Sequence, residues 1–313
     1  MKIIVTHASP DWDAITSVWL LKRFMPNWEN AKIMFVPAGE RISASRLSTP
    51  NNNLLEAIEK IGNDEVIHVD TGMGPLDHHQ TSDMHVCGAS RTWDFVKTYH
   101  EAGEKWFAKV DALERIVDII VQVDHFQEVY WADSAADYHE FSLLGLLEGL
   151  KYQKPGDDDF YVVFGMECLD ALVHDFENRA WAEKEITEKG QAFETRFGKG
   201  IGMETMNDTV LKLAQKLGYT IVIRKDPRSG FVRIKTMPER AKGELGINNN
   251  NNKELSKGVD FTLVYEKLKK MDPDATWYLH VSKKMLLNGT TKNPTMVPTK
   301  LSLQQIIDVV KAI

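Results

Sequence analysis

Lys2-Ile3-Ile4-Val5-Thr6-His7-Ala8-Ser9-Pro10-Asp11-Trp12-Asp13-Ala14 is the stretch whose reading decides the fold. The apolar run Lys2 to Thr6 predicts a first β-strand. A helix is predicted to follow over Asp13 to Phe24, with Ile15, Val18, Trp19 and Leu21 spaced for burial and Pro26 closing it. One His and two Asp lie on the turn between them. Open α/β sheets place their ligands in the crevice outside the carboxyl ends of the strands, so acids on this turn project into a shared cleft. Metal-binding chemistry is the expectation.

Working outward, a second strand is predicted at Lys32 to Val36 and a loop over Pro37 to Asn53. A short helix is predicted at Leu54 to Ile61, stopped by Gly62, and a strand at Glu65 to Val69. Asp70 follows this strand as the acids follow the first. The alternation implies a parallel sheet with helices on its faces, an α/β fold. Gly88 to Tyr99 and Trp106 to Val123 read as helices, with Asp124 ending the second. Residues 137 to 150 and 159 to 190 read as helical, broken around Pro155-Gly156. Tyr219 to Arg224 and Phe231 to Thr236 read as a hairpin, Trp277 to Val281 as a strand, and Leu303 to Ala312 as a helix with a Ser302/Gln305 capping box. The domain expectation is therefore a catalytic domain at 1–190, a helical linker at 191–218 and a smaller basic α+β lid domain at 219–313. The Asn248 to Asn252 tract cannot bury a face and reads as a surface loop.

With 313 residues, 43% hydrophobic and 27% charged, the chain has the composition of a two-domain globular protein. It has no apolar run near the ~20 residues of a membrane span and no N-terminal signal pattern. Its two cysteines, Cys87 and Cys168, are too few for a disulfide framework. A cytoplasmic protein is expected, with the oligomeric state left open, a homodimer included. From Tyr219 onward there are 17 Lys and Arg against nine Asp and Glu, a balance of +8, which leaves −15 for the rest. An acidic metal-binding part beside a basic phosphate-binding part accounts for this asymmetry, and ordinary surface variation is the plain alternative. The net charge of −7 and the absence of an Arg/Lys run argue against long duplex nucleic acid as a partner.

Six residues make the candidate ligand set: His7, Asp11, Asp13, Asp70, His78 and Asp124. Taken singly, Asp11 or Asp13 would serve as a helix cap and His7 as an ordinary histidine. Asp124 stands out, because an Asp at a helix C-terminus meets the negative end of the dipole. Two His and four Asp without Cys form a hard set suited to Mn²⁺ or Mg²⁺, with Co²⁺ an alternative. Four carboxylates in one cleft repel one another unless cations neutralise them, and two ions bridged by one carboxylate would do so. Asp70 is the expected bridge. In the basic part, His280, Ser282, Lys283 and Lys284, followed by Gly289, Thr290, Thr291 and Lys292, are the expected substrate-phosphate contacts, with a solvated polar hairpin as the plain alternative.

His7-x-x-Pro10-Asp11-x-Asp13-Ala14, Asp70, Asp77-His78-His79 and Asp124 together resemble the motifs of the DHH phosphoesterase superfamily. That group includes RecJ-type exonucleases, oligoribonucleases, cyclic-dinucleotide phosphodiesterases and manganese-dependent pyrophosphatases. The resemblance covers residues 1 to about 125. It implies that His7, Asp11 and Asp70 hold one ion and that Asp13, Asp70, His78 and Asp124 hold the other. It also implies that His79 faces the substrate phosphate and Asp77 supports the histidines. The short step from Asp70 to Asp77-His78-His79-Gln80, with Cys87-Gly88-Ala89-Ser90 and His280-x-Ser282, is similar to the melanocyte-proliferating-gene-type nucleases. That branch has His where this chain has Asp11, and a Gly-rich run where it has Lys283-Lys284. The expected function is two-metal hydrolysis of phosphate esters in short single-stranded oligonucleotides or related nucleotides. A manganese-dependent pyrophosphatase, a cyclic-dinucleotide phosphodiesterase and a non-enzymatic nucleotide-binding protein are the competitors.

Overall fold

β1 (Lys2–His7) lies at the centre of the first sheet. In the computed structural model, which describes residues 1–42, 51–100, 104–238, 258–290, 293 and 295–312 and only the backbone of 104–108, the chain forms two compact units, Met1–Glu177 and Asn178–Ile313. The Asn248 to Asn252 tract, Thr291 and Lys292 lie outside the described residues.

β1 is followed by α1 (Trp12–Phe24) and β2 (Lys32–Val36), then by β3 (Glu59–Ile61) and β4 (Asp64–His68). The sheet order is β2-β1-β4-β3, with β1 parallel to both β2 and β4 and β3 antiparallel at the edge. Residues Ile3 to Thr6 are buried on both faces of the sheet, which is why β1 reads as a continuous apolar run rather than an alternation. Ile3 and Val5 join Val36 and Val66 on one face, and Ile4 joins the main core on the other.

That core is filled by α1, α2 (Gly88–Lys97), α3 (Glu104–Asp124), α5 (Leu143–Gln153) and the first part of α6 (Asp158–Lys189), while α4 (Asp137–Glu140) buries no residue. Trp12 to Leu21 of α1 are all buried, so this helix is enclosed rather than amphipathic. It is held to α6 by Trp19 Nε1 donating to Asp170 Oδ1 at 2.8 Å and by the Arg23–Asp170 pair at 2.9 Å. Gly165 makes the contact close: a Cβ there would stand 2.5 Å from Ile15 Cγ2. The helix expected over Leu54 to Ile61 is instead a single turn at Leu54–Glu56 leading into β3. Gly62, at φ +63°, turns β3 back onto β4, and pairing along that edge satisfies more backbone than an isolated helical turn would.

The second unit carries β5 (Gln191–Thr195), β6 (Gly198–Glu204), α7 (Thr209–Lys216), β7 (Ile221–Lys225), β8 (Val232–Thr236), α8 (Thr262–Met271), β9 (Tyr278–Leu279), β10 (Met285–Asn288) and α9 (Leu303–Lys311). Its sheet runs β5-β6-β7-β8-β10-β9, with only the β6/β7 pair parallel. Residues 191–218, expected as a helical linker, are therefore two strands and a crossover helix inside this unit. Glycines at 198, 200 and 202 oppose helix there, and the bare Gly202 lets α9 approach, since a Cβ would meet Ile307 Cδ1 at 2.9 Å. The expected Ser302/Gln305 capping box opens α9.

Candidate metal centre

The carboxyl ends of β1 and β4, the start of α1 and the end of α3 bring the expected residues together in the first unit. His7 ends β1. Its Nδ1 contacts the Ala8 carbonyl at 2.9 Å, which turns Nε2 toward Asp70 Oδ2 at 3.2 Å and Asp11 Oδ2 at 3.8 Å. Asp11 is indeed the cap of α1: its Oδ1 accepts from the amides of Asp13 and Ala14, both at 3.0 Å. Its other oxygen stays free to face His7, so capping and ligation use different atoms.

Asp70, buried after β4, adopts φ +51°, a left-handed conformation that Asp tolerates better than most residues. The loop behind it is pinned: Thr71 Oγ1 donates to the Glu40 carbonyl at 3.0 Å, and Arg41, paired with Glu59, donates to the Gly72 carbonyl at 3.1 Å. The two Asp70 oxygens face different partners. Oδ2 meets His7, and Oδ1 lies 3.5 Å from His78 Nε2. His78 Nε2 is also 3.5 Å from Asp124 Oδ2 and 3.7 Å from Asp13 Oδ2.

Asp13 is held hard. Its Oδ2 accepts from the Gly88 amide at 2.7 Å and its Oδ1 from the Ala89 amide at 2.6 Å, so the N-terminus of α2 seats this carboxylate. Asp77 has a supporting geometry. It accepts from the amides of Met73, His78 and His79 and from His79 Nδ1 at 2.7 Å, which shapes the loop and leaves His79 Nε2 outward on a mostly exposed side chain.

The electrostatics follow from crowding. Burial, with the charges of Asp70, Asp124 and Asp11, pushes Asp13 well above the ordinary carboxylate range, and burial with Asp70 raises Asp124. Burial would raise Asp70 too, but His7, His78 and His79 outweigh it and hold it low. Burial disfavours the His7 cation, yet the Asp70 hydrogen bond and the Asp11 and Asp70 charges lift it to about 9. Asp77 lifts His79 to about 9.

Three buried atoms, Asp70 Oδ1, His78 Nε2 and Asp124 Oδ2, have no hydrogen-bond partner. Buried polar atoms are seldom left so. Donors bound to one ion at 2.0 to 2.2 Å stand roughly 3.0 to 3.5 Å apart, so the 3.5 Å spacing of His78 Nε2 from Asp70 Oδ1, and separately from Asp124 Oδ2, suits a pair of donors on one divalent cation. Three sets of side chains bring their donor atoms within 4.8 Å of one another: Asp70, His78 and His79; His78, Asp124 and His125; and His7, Asp11 and Asp70. His125, unassigned from the sequence, places Nε2 2.9 Å from the Val86 carbonyl and 3.8 Å from Asp124 Oδ2. Its place beside Asp124 was the one signal in the sequence.

The residues expected to contact substrate phosphate do not form one cluster. His280 to Lys284 make a tight turn before β10, with His280 Nδ1 2.8 Å from Ser282 Oγ and Lys283 paired with Asp260 at 3.0 Å. Gly289 and Thr290 follow β10 at its other end, with Gly289 against the Phe231 ring. The intervening strand separates the two groups by more than ~13 Å.

No family model matches the chain, and no curated protein does. Among solved structures, it is similar to the crystal structure of RecJ in complex with Mg²⁺ from Thermus thermophilus. That match has 11% identity and a TM-score of 0.29 and covers 99% of this chain, which spans about half (49%) of the RecJ chain.

Proposed function

We propose that the chain is a metal-dependent phosphoesterase of the DHH type that hydrolyses short single-stranded oligonucleotides or related nucleotide phosphoesters. The observation that carries this reading is the cluster around His78 Nε2, which has Asp70 Oδ1 and Asp124 Oδ2 each at 3.5 Å, all three atoms buried without a hydrogen-bond partner, beside the His7–Asp11–Asp70 set. The motif resemblance supports it. His7, Asp11 and Asp70 would hold one divalent cation and Asp13, Asp70, His78 and Asp124 the other, with Mn²⁺ preferred and Mg²⁺ or Co²⁺ as alternatives. Bound there, such a pair would polarise the phosphoryl group and acidify the attacking water.

The chain's own residues divide the remaining work. Asp70 presents one oxygen to each set, the arrangement a bridging carboxylate needs. Asp13, fixed by the Gly88 and Ala89 amides, cannot swing away. His79, oriented by Asp77, whose hydrogen bond and charge favour the imidazolium, would offer Nε2–H to a phosphoryl oxygen as negative charge develops. In the second unit the His280 to Lys284 turn is the proposed anion contact, and Gly289 and Thr290 lie too far along β10 to share it.

The test incubates the protein and Mn²⁺ with end-labelled RNA of two to five nucleotides, and separately with pyrophosphate and a cyclic dinucleotide, with and without EDTA. Mononucleotides released from RNA only without EDTA are expected. Orthophosphate from pyrophosphate alone, or no EDTA-sensitive product from any substrate, overturns the reading.

A further inference from the structure

His125 takes no part in the proposed hydrolysis, yet it stands beside the candidate ligands. It follows Asp124 at the end of α3, where its amide still donates to the Val121 carbonyl at 3.3 Å. The next residue, Phe126, turns to φ +55°, a left-handed conformation that glycine usually supplies at a helix end and a bulky residue seldom adopts. From this abrupt stop the His125 ring stands edge-on to that of His78, with centroids 5.7 Å apart, and its Nε2 lies 2.9 Å from the Val86 carbonyl. A carbonyl can only accept, so Nε2 carries the hydrogen and donates it. The nitrogen that lies 3.8 Å from Asp124 Oδ2 is this same Nε2, so while the bond holds it has no lone pair to offer an ion there.

What the bond holds is the start of α2. Val86 directly precedes Cys87, the N-cap of that helix, and the Gly88 and Ala89 amides that seat Asp13. Gly88 leaves no slack here: a Cβ would stand 2.9 Å from Asp13 Oδ2 and 2.9 Å from Asp70 Cβ. A displacement of this segment is therefore passed straight to both acids. At the other end of the bond, one residue back along α3, Asp124 Oδ2 lies 3.5 Å from His78 Nε2, and Asp13 Oδ2 lies 3.7 Å from the same nitrogen. His125 thus ties the helix that carries Asp124 to the turn that seats Asp13, the two acids that flank His78.

We infer that His125 is a positioning residue for the ion assigned to Asp13, Asp70, His78 and Asp124, acting through the Val86 carbonyl and not as a ligand. The inference rests on the proposed phosphoesterase reading for the presence of two ions. A helix-end histidine that only satisfies one carbonyl is the plain alternative. Its loss would lower stability without distinguishing one ion from the other, whereas loss of the tie disturbs the ion between α2 and α3 and spares the one held by His7 and Asp11.

The test compares His125→Gln with His125→Asn, which carry the same amide at different reach. The Gln nitrogen stands as many bonds from Cβ as His Nε2 does, and the Asn nitrogen one fewer. Mn²⁺ is titrated by calorimetry into the metal-free full chain, with circular dichroism to verify folding and electron paramagnetic resonance to tell a coupled ion pair from isolated ions. The native chain should take two Mn²⁺. His125→Asn should weaken one of them about tenfold or more and leave the other within about threefold, the scale on which outer partners of metal ligands act. The coupled signal should then give way to that of isolated ions at Mn²⁺ levels that load the native pair, and His125→Gln should restore it. His125→Leu, which has no donor, should behave as His125→Asn does, and either variant decides if the other does not fold. Unchanged affinities in the folded variants, equal weakening of both ions, or His125→Gln no better than His125→Asn overturns the inference. Two bound Mn²⁺ with no EDTA-sensitive hydrolysis would sink the phosphoesterase reading alone, and hydrolysis with Mn²⁺ binding unchanged in His125→Asn would sink the tie alone. A native chain that takes fewer than two Mn²⁺ would sink both.

Discussion

At the residue scale, Asp70 links the His7–Asp11 set to His78, and its left-handed backbone aims each oxygen at a different histidine. Asn has the same shape and also tolerates that conformation. Asp70→Asn should therefore leave the far-UV circular dichroism spectrum intact. Losing a charged bridging donor should weaken Mn²⁺ binding by more than ~100-fold, beyond what removal of an outer supporting residue costs. Turnover should fall below detection, since several kcal/mol of charge stabilisation depend on the ions. Mn²⁺ titration calorimetry beside the RNA assay checks both, and near-normal binding and turnover would remove the bridge.

At the scale of elements, the clearest device outside the centre is the tie between the end of α8 and the start of α9. Asp272, only 7% exposed, caps the end of α8 and accepts from Thr299 Oγ1 at 2.7 Å and the Lys300 amide at 2.8 Å. Asn288 grips the same segment, accepting from the Thr299 amide at 2.7 Å. The Thr299 and Lys300 donors outweigh burial and hold the Asp272 carboxyl below its ordinary range. A carboxyl depressed in the folded state adds stability above its unfolded pKa, and that stability is lost as pH falls through the folded pKa. Asp272→Asn should thus cost about 2 kcal/mol at neutral pH. The difference from the native protein should shrink as the solution is acidified from about pH 4 downward. Urea midpoints measured between pH 3 and 7 test this, and a gap independent of pH would show that the carboxylate charge is not what secures the tie.

At the scale of the whole molecule, the charge asymmetry follows the division into units. With the boundary at Asn178, the first unit carries −16 and the second +9. The acidic unit contains the crowded carboxylates, so divalent cations should stabilise it selectively. Ligand at a hundred times its Kd adds ~2.7 kcal/mol per site to a unit that binds only when folded. Amide exchange in residues 70–79 and 87–90 should slow on adding Mn²⁺ and recover with EDTA, while β7 and β8 stay unchanged. Equal slowing in both units would point to general ionic screening instead. Among the described residues, no helix is long and apolar enough to cross a membrane.

Much of this was legible in the sequence because it is written in local patterns. β1, α1, the hairpin of β7 and β8 and the α9 capping box depend on neighbours within a few residues, so apolar spacing and caps were enough to find them. The six candidate ligands were legible for a different reason: hard donors placed after strands and at a helix end need an explanation that ordinary capping does not give. The edge hairpin at β3 and the strands replacing the expected linker were not legible, because Glu59-Lys60-Ile61 and Gln191 to Thr195 are short, mostly polar edge strands without a clear apolar alternation, and β6 finds its parallel partner β7 only beyond a crossover helix. The separation of Lys284 from Gly289 likewise follows from the register of β10 against β8. By itself, the sequence determined the α/β alternation and the identity of the acid and histidine donors. Only the tertiary structure decided which atoms face one another and how the α2 amides seat Asp13, because burial and hydrogen-bond satisfaction are properties of packed space, not of neighbouring letters.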